Sequence, residues 1–180
     1  MDSSQKQNII TCVGRWNDNR KNAKGLVKVF LSLKTEWKIN LIGNGSSRLK
    51  NQIKKMNKEI TISSYEKMSH PDIFETFSKT KIFFAPSISE SFNLAAAEAL
   101  YSGCSIVGGS LPSFVYFANA GTNGTLSNTT DAPLLKEALE KDIKKWEQGL
   151  YEVNKISSYW QKELSPEIII PKITEIIKSI

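Results

Sequence analysis

Residues 81–109, "KIFFAPSISESFNLAAAEALYSGCSIVGG", carry the clearest indication of the fold. It begins with the apolar run "KIFFA" and ends with the apolar run "CSIVGG". Such short, continuously apolar runs are typical of strands that are buried on both faces of a sheet. Between them, "FNLAAAEALYS" predicts a helix that ends before Gly103. A strand, a helix and a second strand in this order predict a parallel crossover unit.

The same alternation continues on both sides of this unit. Upstream, the strand-like runs "NIITCVG", "WKINLIG" and "EITIS" alternate with amphipathic helical patterns. Downstream, the chain is predicted to be helical from about Ala132 to its end, with a break at Ser165 and Pro166. We therefore predict a single α/β domain over residues 1–180. Its fold would be a Rossmann-like, doubly wound parallel sheet with helices on both faces and a helical C-terminal tail.

The composition is that of a globular protein, with 40% hydrophobic residues. No apolar run approaches the length of about 18 residues that a membrane span needs. The first residues, "MDSSQKQN", lack the apolar segment of a secretory signal. Two isolated cysteines, Cys12 and Cys104, do not make a disulfide framework. These features lead us to expect a cytoplasmic protein.

The charge balance is basic, with 24 lysines and arginines against 18 acidic residues and a net charge of +6. Many lysines are interleaved with acids in runs such as "RLKNQIKKMNKE", which favours a solvated surface. Peripheral contact with an anionic membrane face is left as an open alternative. Nucleic acid is not an expected partner, because no basic stripe is combined with aromatic residues or with a known binding module.

Ligands of doubly wound sheets bind outside the carboxyl ends of the strands, so the turns after strands are the candidate sites. The turn "VGRWNDNRKN" carries Arg15, Arg20 and Lys21. Cations at a helix start oppose the helix dipole and are better explained by a bound anion. We favour Arg15 and Lys21 as anion ligands, whereas Arg20 beside Asp18 can equally be a surface residue. The turn "LIGNGSS" lacks the further residues of a dinucleotide fingerprint or a P-loop.

The turn "SISESFN" predicts an anion site at the start of the following helix. Ser89 or Ser91 is expected to cap this helix, because hydroxyl oxygens accept hydrogen bonds from first-turn amides. The N–H groups of Phe92, Asn93 and Leu94 then lack intrahelical partners and, together with the helix dipole, suit a phosphate.

Two glutamates flank this helix start. Glu90 lies in the turn, and Glu98 lies roughly 9–12 Å further along the helix at 1.5 Å per residue. This separation is too large for a shared proton but suits an elongated ligand with hydroxyl groups at both ends and an anion between them. Apolar neighbours indicate that Glu98 is partly buried and needs a partner. Solvated surface positions are the alternative interpretation for both residues.

In this order, the three turns resemble the C-terminal, donor nucleotide-sugar-binding domain of GT-B glycosyltransferases, in particular the family-4 retaining enzymes of the glycosyl transferases group 1. The strongest mark is the E-x7-E motif from Glu90 to Glu98. The strand "VGR" followed by a lysine, the "IGxG" turn and a late "NG" turn complete the resemblance, which covers almost the whole chain. Departures are Ser91 and Asn93, where the family has glycines, and "CS" before the fifth strand-like run, where it has x-Pro.

The resemblance implies a role for each of these residues. Arg15 and Lys21 would neutralise the donor diphosphate, and Glu90 would contact the sugar near the reacting centre. Glu98 would bind the nucleotide ribose. The segment 64–67 would lie near the base. The N–H groups of Phe92, Asn93 and Leu94 would hold the distal phosphate. Gly43 and Gly45 would let the backbone approach the nucleotide, and Gly14 would also contact it.

The implied activity is retaining transfer of a hexosyl group from a UDP- or GDP-sugar to a saccharide or lipid-linked acceptor, as in polysaccharide biosynthesis. No cofactor and no metal would be required, since cations and helix amides stabilise the leaving diphosphate. No residues with metal-ligand spacing occur, and His70 is interpreted as a cap or surface residue. The chief alternative is a non-catalytic module of the same fold that binds a nucleotide or phosphosugar. A receiver domain is disfavoured, because "VGRWND" places a cation where a receiver needs carboxylates.

A complete GT-B enzyme also has an N-terminal acceptor-binding domain of similar size. We expect that domain to be absent from this chain and the isolated chain to be inactive or nearly so. The last helices, which include Trp160 and the run "EIIIPKITEIIKSI", are richer in apolar residues than a free tail requires. Part of this surface is therefore predicted to dock on the missing domain.

Overall fold

The computed structural model of the protein describes residues 5–119 and 121–178. Within these residues six parallel strands form a sheet, and the order of the strands reverses between the first and the fourth. In chain order the strands are β1 (Gln7–Val13), β2 (Lys38–Ile42), β3 (Ile62–Tyr65), β4 (Thr80–Ala85), β5 (Ser105–Gly109) and β6 (Gly124–Ser127). Their order in space, β3-β2-β1-β4-β5-β6, is that of a doubly wound sheet, which confirms the predicted fold class.

The described part of the chain contains eight α-helices. They are α1 (Ala23–Ser32), α2 (Ser46–Met56), α3 (His70–Lys79), α4 (Leu94–Tyr101), α5 (Pro112–Ala118), α6 (Ala132–Glu147), α7 (Val153–Glu163) and α8 (Pro166–Lys178). Helix α1 packs against α2 and α6, and α4 packs against α3, α5 and α7, so the two sets cover opposite faces of the sheet. None of the helices in the described part of the chain combines the length and apolar character that crossing a bilayer requires.

The core contains the residues that the apolar periodicity selects. Leu26, Val29 and Phe30 of α1 are fully buried, and Leu33 just after it is nearly so. Every residue of β5 is buried, as the continuous apolar run predicts. In α4 the small side chains of Ala96, Ala97 and Ala99 are buried and allow the helix to lie close to β4 and β5.

The structure also corrects the predicted elements. Strand β6 and helix α5 are not in the sequence-based prediction, and β3 begins three residues later than the run "EITIS". The helical tail breaks at Ser165, as predicted, and a second break at Gly149 separates α6 from α7.

The predicted docking surface of the tail is only partly described. Trp160 is fully buried and packs edge-on against Phe117, so its size is explained by packing within this chain. Ile170 is exposed. The side chains at 172, 173 and 175–178, and residues 179–180, lie outside the described part of the structure, so the docking of this segment stays a prediction.

A buried carboxylate ties α6 to the amino-terminal edge of the sheet. Asp142 is completely buried and accepts hydrogen bonds from Ser105 Oγ at 2.5 Å, from Thr125 Oγ1 at 2.7 Å and from the Tyr151 hydroxyl. Burial raises the pKa of Asp142 despite these donors, and burial together with the carboxylate raises the pKa of Tyr151. This network lies at the opposite edge from the candidate site.

Candidate functional site

The candidate site lies where the strand order reverses, at the carboxyl ends of β1 and β4. The two turns that follow these strands are joined by a hydrogen bond between backbone atoms and by one from a side chain to the backbone. Ile88 N donates to Arg20 O at 2.9 Å, and Asn22 Nδ2 donates to Pro86 O at 3.0 Å. The two turns are therefore held in a fixed relation before any ligand binds.

Lys21 and Glu90 meet between these turns. Lys21 Nζ lies 2.6 Å from Glu90 Oε1, although the residues are 69 positions apart in the chain. Their side chains are only 20% and 10% exposed. A pair so far removed from water interacts more strongly than a surface pair, and removing either partner leaves a poorly solvated charge. The structure thus places a cation and a carboxylate together at the switch point of the sheet.

The other two cations of the first turn differ in their availability. Arg20 donates hydrogen bonds to the Asp18 carboxylate from Nη2 at 2.7 Å and from Nε at 3.1 Å. The guanidinium lowers the pKa of Asp18 to about 2. Arg15 is 78% exposed, and its Nη2 lies 3.8 Å from the same carboxylate. Arg15 therefore offers its guanidinium to a ligand, whereas Arg20 behaves as the surface residue that the sequence allows.

An open cavity of about 420 Å³ adjoins these cations at the carboxyl edge of the sheet. It is lined by Arg15, Asn17, Asp18, Arg20 and Asn44.

The glycine turn after β2 is shaped by the chain itself. Gly43 has φ +110, and a Cβ atom there would lie 2.1 Å from Gly14 O, so the close approach of the two turns requires glycine. Gly45 has φ +91, and its N–H donates to Glu66 Oε2 at 2.7 Å. Ser47 N donates to the other oxygen of Glu66 at 2.8 Å. Two amides at the start of α2 are therefore already occupied by a carboxylate.

The contact of Glu66 with the start of α2 was not predicted from the sequence. It lies in the segment 64–67 that the resemblance places near the base. The amides of α2 hold its carboxylate and lower its pKa. An acid 21 residues after Gly45 is a weak signal, and the contact was not predictable without the fold.

The start of α4 differs from the prediction. The cap is Asn93, not Ser89 or Ser91, and the helix begins at Leu94. Asn93 has φ 66, in the left-handed region that glycine adopts most readily and asparagine tolerates best among other residues. Its Oδ1 accepts from Ala96 N at 3.1 Å. Asparagine therefore keeps the backbone conformation that glycine would supply.

The three predicted amide donors consequently fall into two groups. The N–H of Leu94 belongs to the first turn of α4, where amides lack an intrahelical acceptor. The N–H groups of Phe92 and Asn93 lie in the turn before the helix. The ring of Phe92 is 41% exposed and stands edge-on to Phe117 at 5.1 Å.

Glu98 has the partner that its surroundings require, and that partner is His70. Glu98 Oε1 lies 2.8 Å from His70 Nε2, and the Glu98 side chain is 24% exposed. The interpretation of His70 as a cap is wrong, because Ser69 caps α3 by accepting from Asp72 N. His70 is an exposed residue, as expected, but it contacts a predicted site residue. The need of Glu98 for a partner was the signal in the sequence.

No group of three or more histidines, cysteines and acids in residues 5–119 and 121–178 is arranged to hold a metal ion. The structure brings Lys21 to Glu90 and places Arg15, Gly14 and Gly43 beside them at the same edge of the sheet. Glu98 lies within α4, paired with the start of α3.

Solved structures of similar shape share this fold at low sequence identity. The sucrose-phosphate synthase of Thermosynechococcus elongatus matches 97% of this chain with a TM-score of 0.79 and 18% identity. Alr3699/HepE of Anabaena, solved with UDP and glucose, matches 100% of it with a TM-score of 0.77 and 15% identity. The catalytic domain of the Helicobacter pylori cholesterol-alpha-glucosyltransferase matches 86% of it with a TM-score of 0.68 and 19% identity.

The coverage of these matches is unequal. This chain spans 97% of the Helicobacter structure but only 46% and 53% of the Thermosynechococcus and Anabaena chains. A search of curated protein sequences finds no significant match. The sequence model of the family described as "Glycosyl transferases group 1" matches residues 2–158. The chain belongs to this family of glycosyltransferases, and its fold is that of the C-terminal domain of a GT-B enzyme.

Proposed function

We propose that this chain is the donor-binding domain of a retaining glycosyltransferase. It would transfer a hexosyl group from a nucleoside-diphosphate sugar to a saccharide or lipid-linked acceptor. The observation that carries the proposal is the Lys21–Glu90 pair at the switch point of the sheet, in a chain of this family. One side chain of the pair suits a diphosphate and the other suits sugar hydroxyl groups.

The diphosphate would lie between the turn after β1 and the start of α4. Arg15 is 78% exposed and lies 3.8 Å from Asp18, and Lys21 is held in place by Glu90. With the first-turn amides of α4, these cations would face the leaving diphosphate, whose charge grows as the glycosidic bond breaks. Preorganised donors stabilise that growing charge more in the transition state than in the ground state. Neither a cofactor nor a metal ion is therefore part of the proposal.

The two glutamates would fix the ends of the donor. Glu90 would accept hydrogen bonds from the sugar beside the reacting bond, and Glu98 would accept them from the ribose hydroxyl groups. The UDP and glucose in the Anabaena structure support a hexose donor and make UDP the first nucleotide to test. The backbone of the glycine turn at Gly43 and Gly45 would approach the nucleotide, and the contact with Gly14 O separately requires glycine at position 43.

The acceptor would be bound by a second domain of comparable size. This chain spans about half of the Thermosynechococcus and Anabaena structures, and the proposal assigns the other wall of the cleft to that second domain. The isolated chain would then bind the donor but transfer little. We also propose a cytoplasmic location, with contact to an anionic membrane face as the alternative that the basic charge leaves open.

A second candidate is a binding module of the same fold without transferase activity. It is favoured by Ser91 and Asn93, which place side chains in the turn where the family has glycines. Transfer by the full protein, lost on Glu90→Gln while nucleotide affinity remains, would support the enzyme over the module.

The direct test is calorimetric titration of the 180-residue chain with UDP, GDP and ADP, with Mg²⁺ and with EDTA. We expect one nucleotide to bind without metal. Arg15→Ala and Lys21→Ala should each lower the affinity for that nucleotide about tenfold or more, because each removes a charge-assisted hydrogen bond. Lys79→Ala is the control, since Lys79 pairs with the exposed Glu75 on the surface of α3. A folded chain that binds none of the three nucleotides, or binds one equally in both variants, would contradict the proposal.

A further inference from the structure

We propose that His70 is a positioning residue of the ribose subsite, which holds one oxygen of Glu98 so that the other faces the ribose. The inference rests on the proposed function, because it assigns Glu98 to the nucleotide ribose. It adds a residue on a different helix, α3, whose role does not follow from the E-x7-E motif.

The contact between the two residues is direct. His70 Nε2 lies 2.8 Å from Glu98 Oε1. An ionised carboxylate can only accept hydrogen bonds, so the imidazole donates, either as the Nε2–H tautomer or as the imidazolium. Within residues 5–119 and 121–178, His70 is the one group that the structure pairs with Glu98.

The location of His70 is defined by packing rather than by burial. It is the first residue of α3, between the capping Ser69 and Pro71. Its ring stands edge-on to Phe74 at 5.0 Å, and Phe74 stands edge-on to Tyr101 of α4 at 6.2 Å. This aromatic series joins the start of α3 to the helix that carries Glu98. The ring is therefore oriented although the side chain is 68% exposed.

The chemistry of the pair leaves Glu98 available to a ligand. A carboxylate has about four acceptor positions, and the imidazole uses one of them on Oε1. Oε2 keeps its acceptor positions for the two hydroxyl groups of a ribose. A glutamate that is already held in one rotamer also loses less side-chain entropy when it binds. His70 thus favours ribose binding without touching the reacting atoms.

The consequence is a specific expectation about ribose recognition. Loss of the His70 contact should weaken binding of a ribonucleotide about 3- to 10-fold, the cost of fixing one flexible side chain. Loss of this contact should weaken the binding of a 2′-deoxyribonucleotide less, because that ligand offers Glu98 only one of the two hydroxyl groups. A general effect on folding would weaken the binding of both nucleotides by the same factor.

The test compares UDP, GDP and ADP with their 2′-deoxy counterparts by calorimetry. The chain is used as wild type and with His70→Ala, His70→Gln or Glu98→Ala, and Lys79→Ala on the same helix is the control. We expect His70→Ala to lower the ratio of ribonucleotide to deoxyribonucleotide affinity. His70→Gln should restore the ratio, since its amide also donates an N–H, and Lys79→Ala should leave it unchanged.

The other outcomes overturn the inference in distinguishable ways. If His70→Ala keeps the wild-type ratio while Glu98→Ala reduces it, Glu98 binds the ribose without help from His70. If Glu98→Ala also keeps the ratio, the ribose assignment fails while nucleotide binding stands. If the folded wild-type chain binds none of the nucleotides, the proposed function fails together with the inference.

Discussion

The Lys21–Glu90 pair should make a larger contribution to stability than an exposed pair with the same geometry. The perturbation is a double-mutant cycle of Lys21→Met, Glu90→Gln and the double variant. The Nζ–Oε1 distance is 2.6 Å, and both side chains are at least four-fifths shielded from water. Two unit charges at this separation interact by about 6 kcal/mol at an effective dielectric constant of about 20 and by about 1.6 kcal/mol in water.

Partial solvation and the cost of removing both charges from water reduce this figure. Measured values are about 0–1 kcal/mol for exposed pairs and about 3–5 kcal/mol for breaking buried pairs. We therefore expect a coupling energy of about 2 kcal/mol for Lys21 and Glu90. The assay is urea unfolding of the four proteins, with the coupling energy taken as the departure from additivity.

The chain offers a control of matched geometry. Lys79 Nζ and Glu75 Oε1 are also 2.6 Å apart, but these side chains are 48% and 67% exposed. The corresponding cycle, Lys79→Met with Glu75→Gln, should give a coupling energy below about 0.5 kcal/mol. Equal coupling energies in the two cycles would mean that distance, rather than burial, determines the strength of the Lys21–Glu90 pair.

Two further predictions concern the scaffold. Gly43→Ala should lower the free energy of unfolding by about 2–4 kcal/mol, because the new Cβ would meet Gly14 O at 2.1 Å. The control is Gly149→Ala, because Gly149 has φ +68 and a Cβ there would meet no atom within 4 Å. Thermal unfolding should show a loss of only about 1 kcal/mol for this variant. Equal losses for the two variants would show that backbone strain, and not the contact with Gly14 O, destabilises both. The raised pKa of Asp142 means that the folded state binds this proton more tightly than the unfolded state, whose pKa is about 3.9. The stabilisation by Asp142 is thus greatest below about pH 4 and declines as the pH rises. In urea titrations, Asp142→Asn should therefore gain stability relative to wild type between pH 4 and 7. A difference in unfolding free energy that stays constant over this range would contradict the prediction.

Most of the fold could be predicted from local patterns. The continuously apolar runs that became β1, β4 and β5 and the 3.6-residue spacing of α1 reflect side chains that must be buried on defined faces. Strand β6 was missed because "GTLS" is only four residues long and half polar, so its pairing with β5 rather than its own sequence makes it a strand.

The candidate site was predictable in its residue types but not in its contacts. Turn chemistry identified Arg15, Lys21 and the two glutamates, because cations at helix starts and carboxylates among apolar residues are unusual locally. The departure at Asn93 proved compatible with the glycine conformation, which only its φ of 66 reveals.

The alternation of strands and helices, the family, and the charged residues in the turns after strands all follow from the amino-acid sequence. The pairing of those charged residues depends on the tertiary structure. Lys21 meets Glu90 across 69 positions and His70 meets Glu98 across 28, because crossover connections bring the carboxyl ends of distant strands together. Glu66 occupies the amides at the start of α2 for the same reason. Periodicity depends on neighbours in the chain, whereas these contacts depend on the order of strands in the sheet.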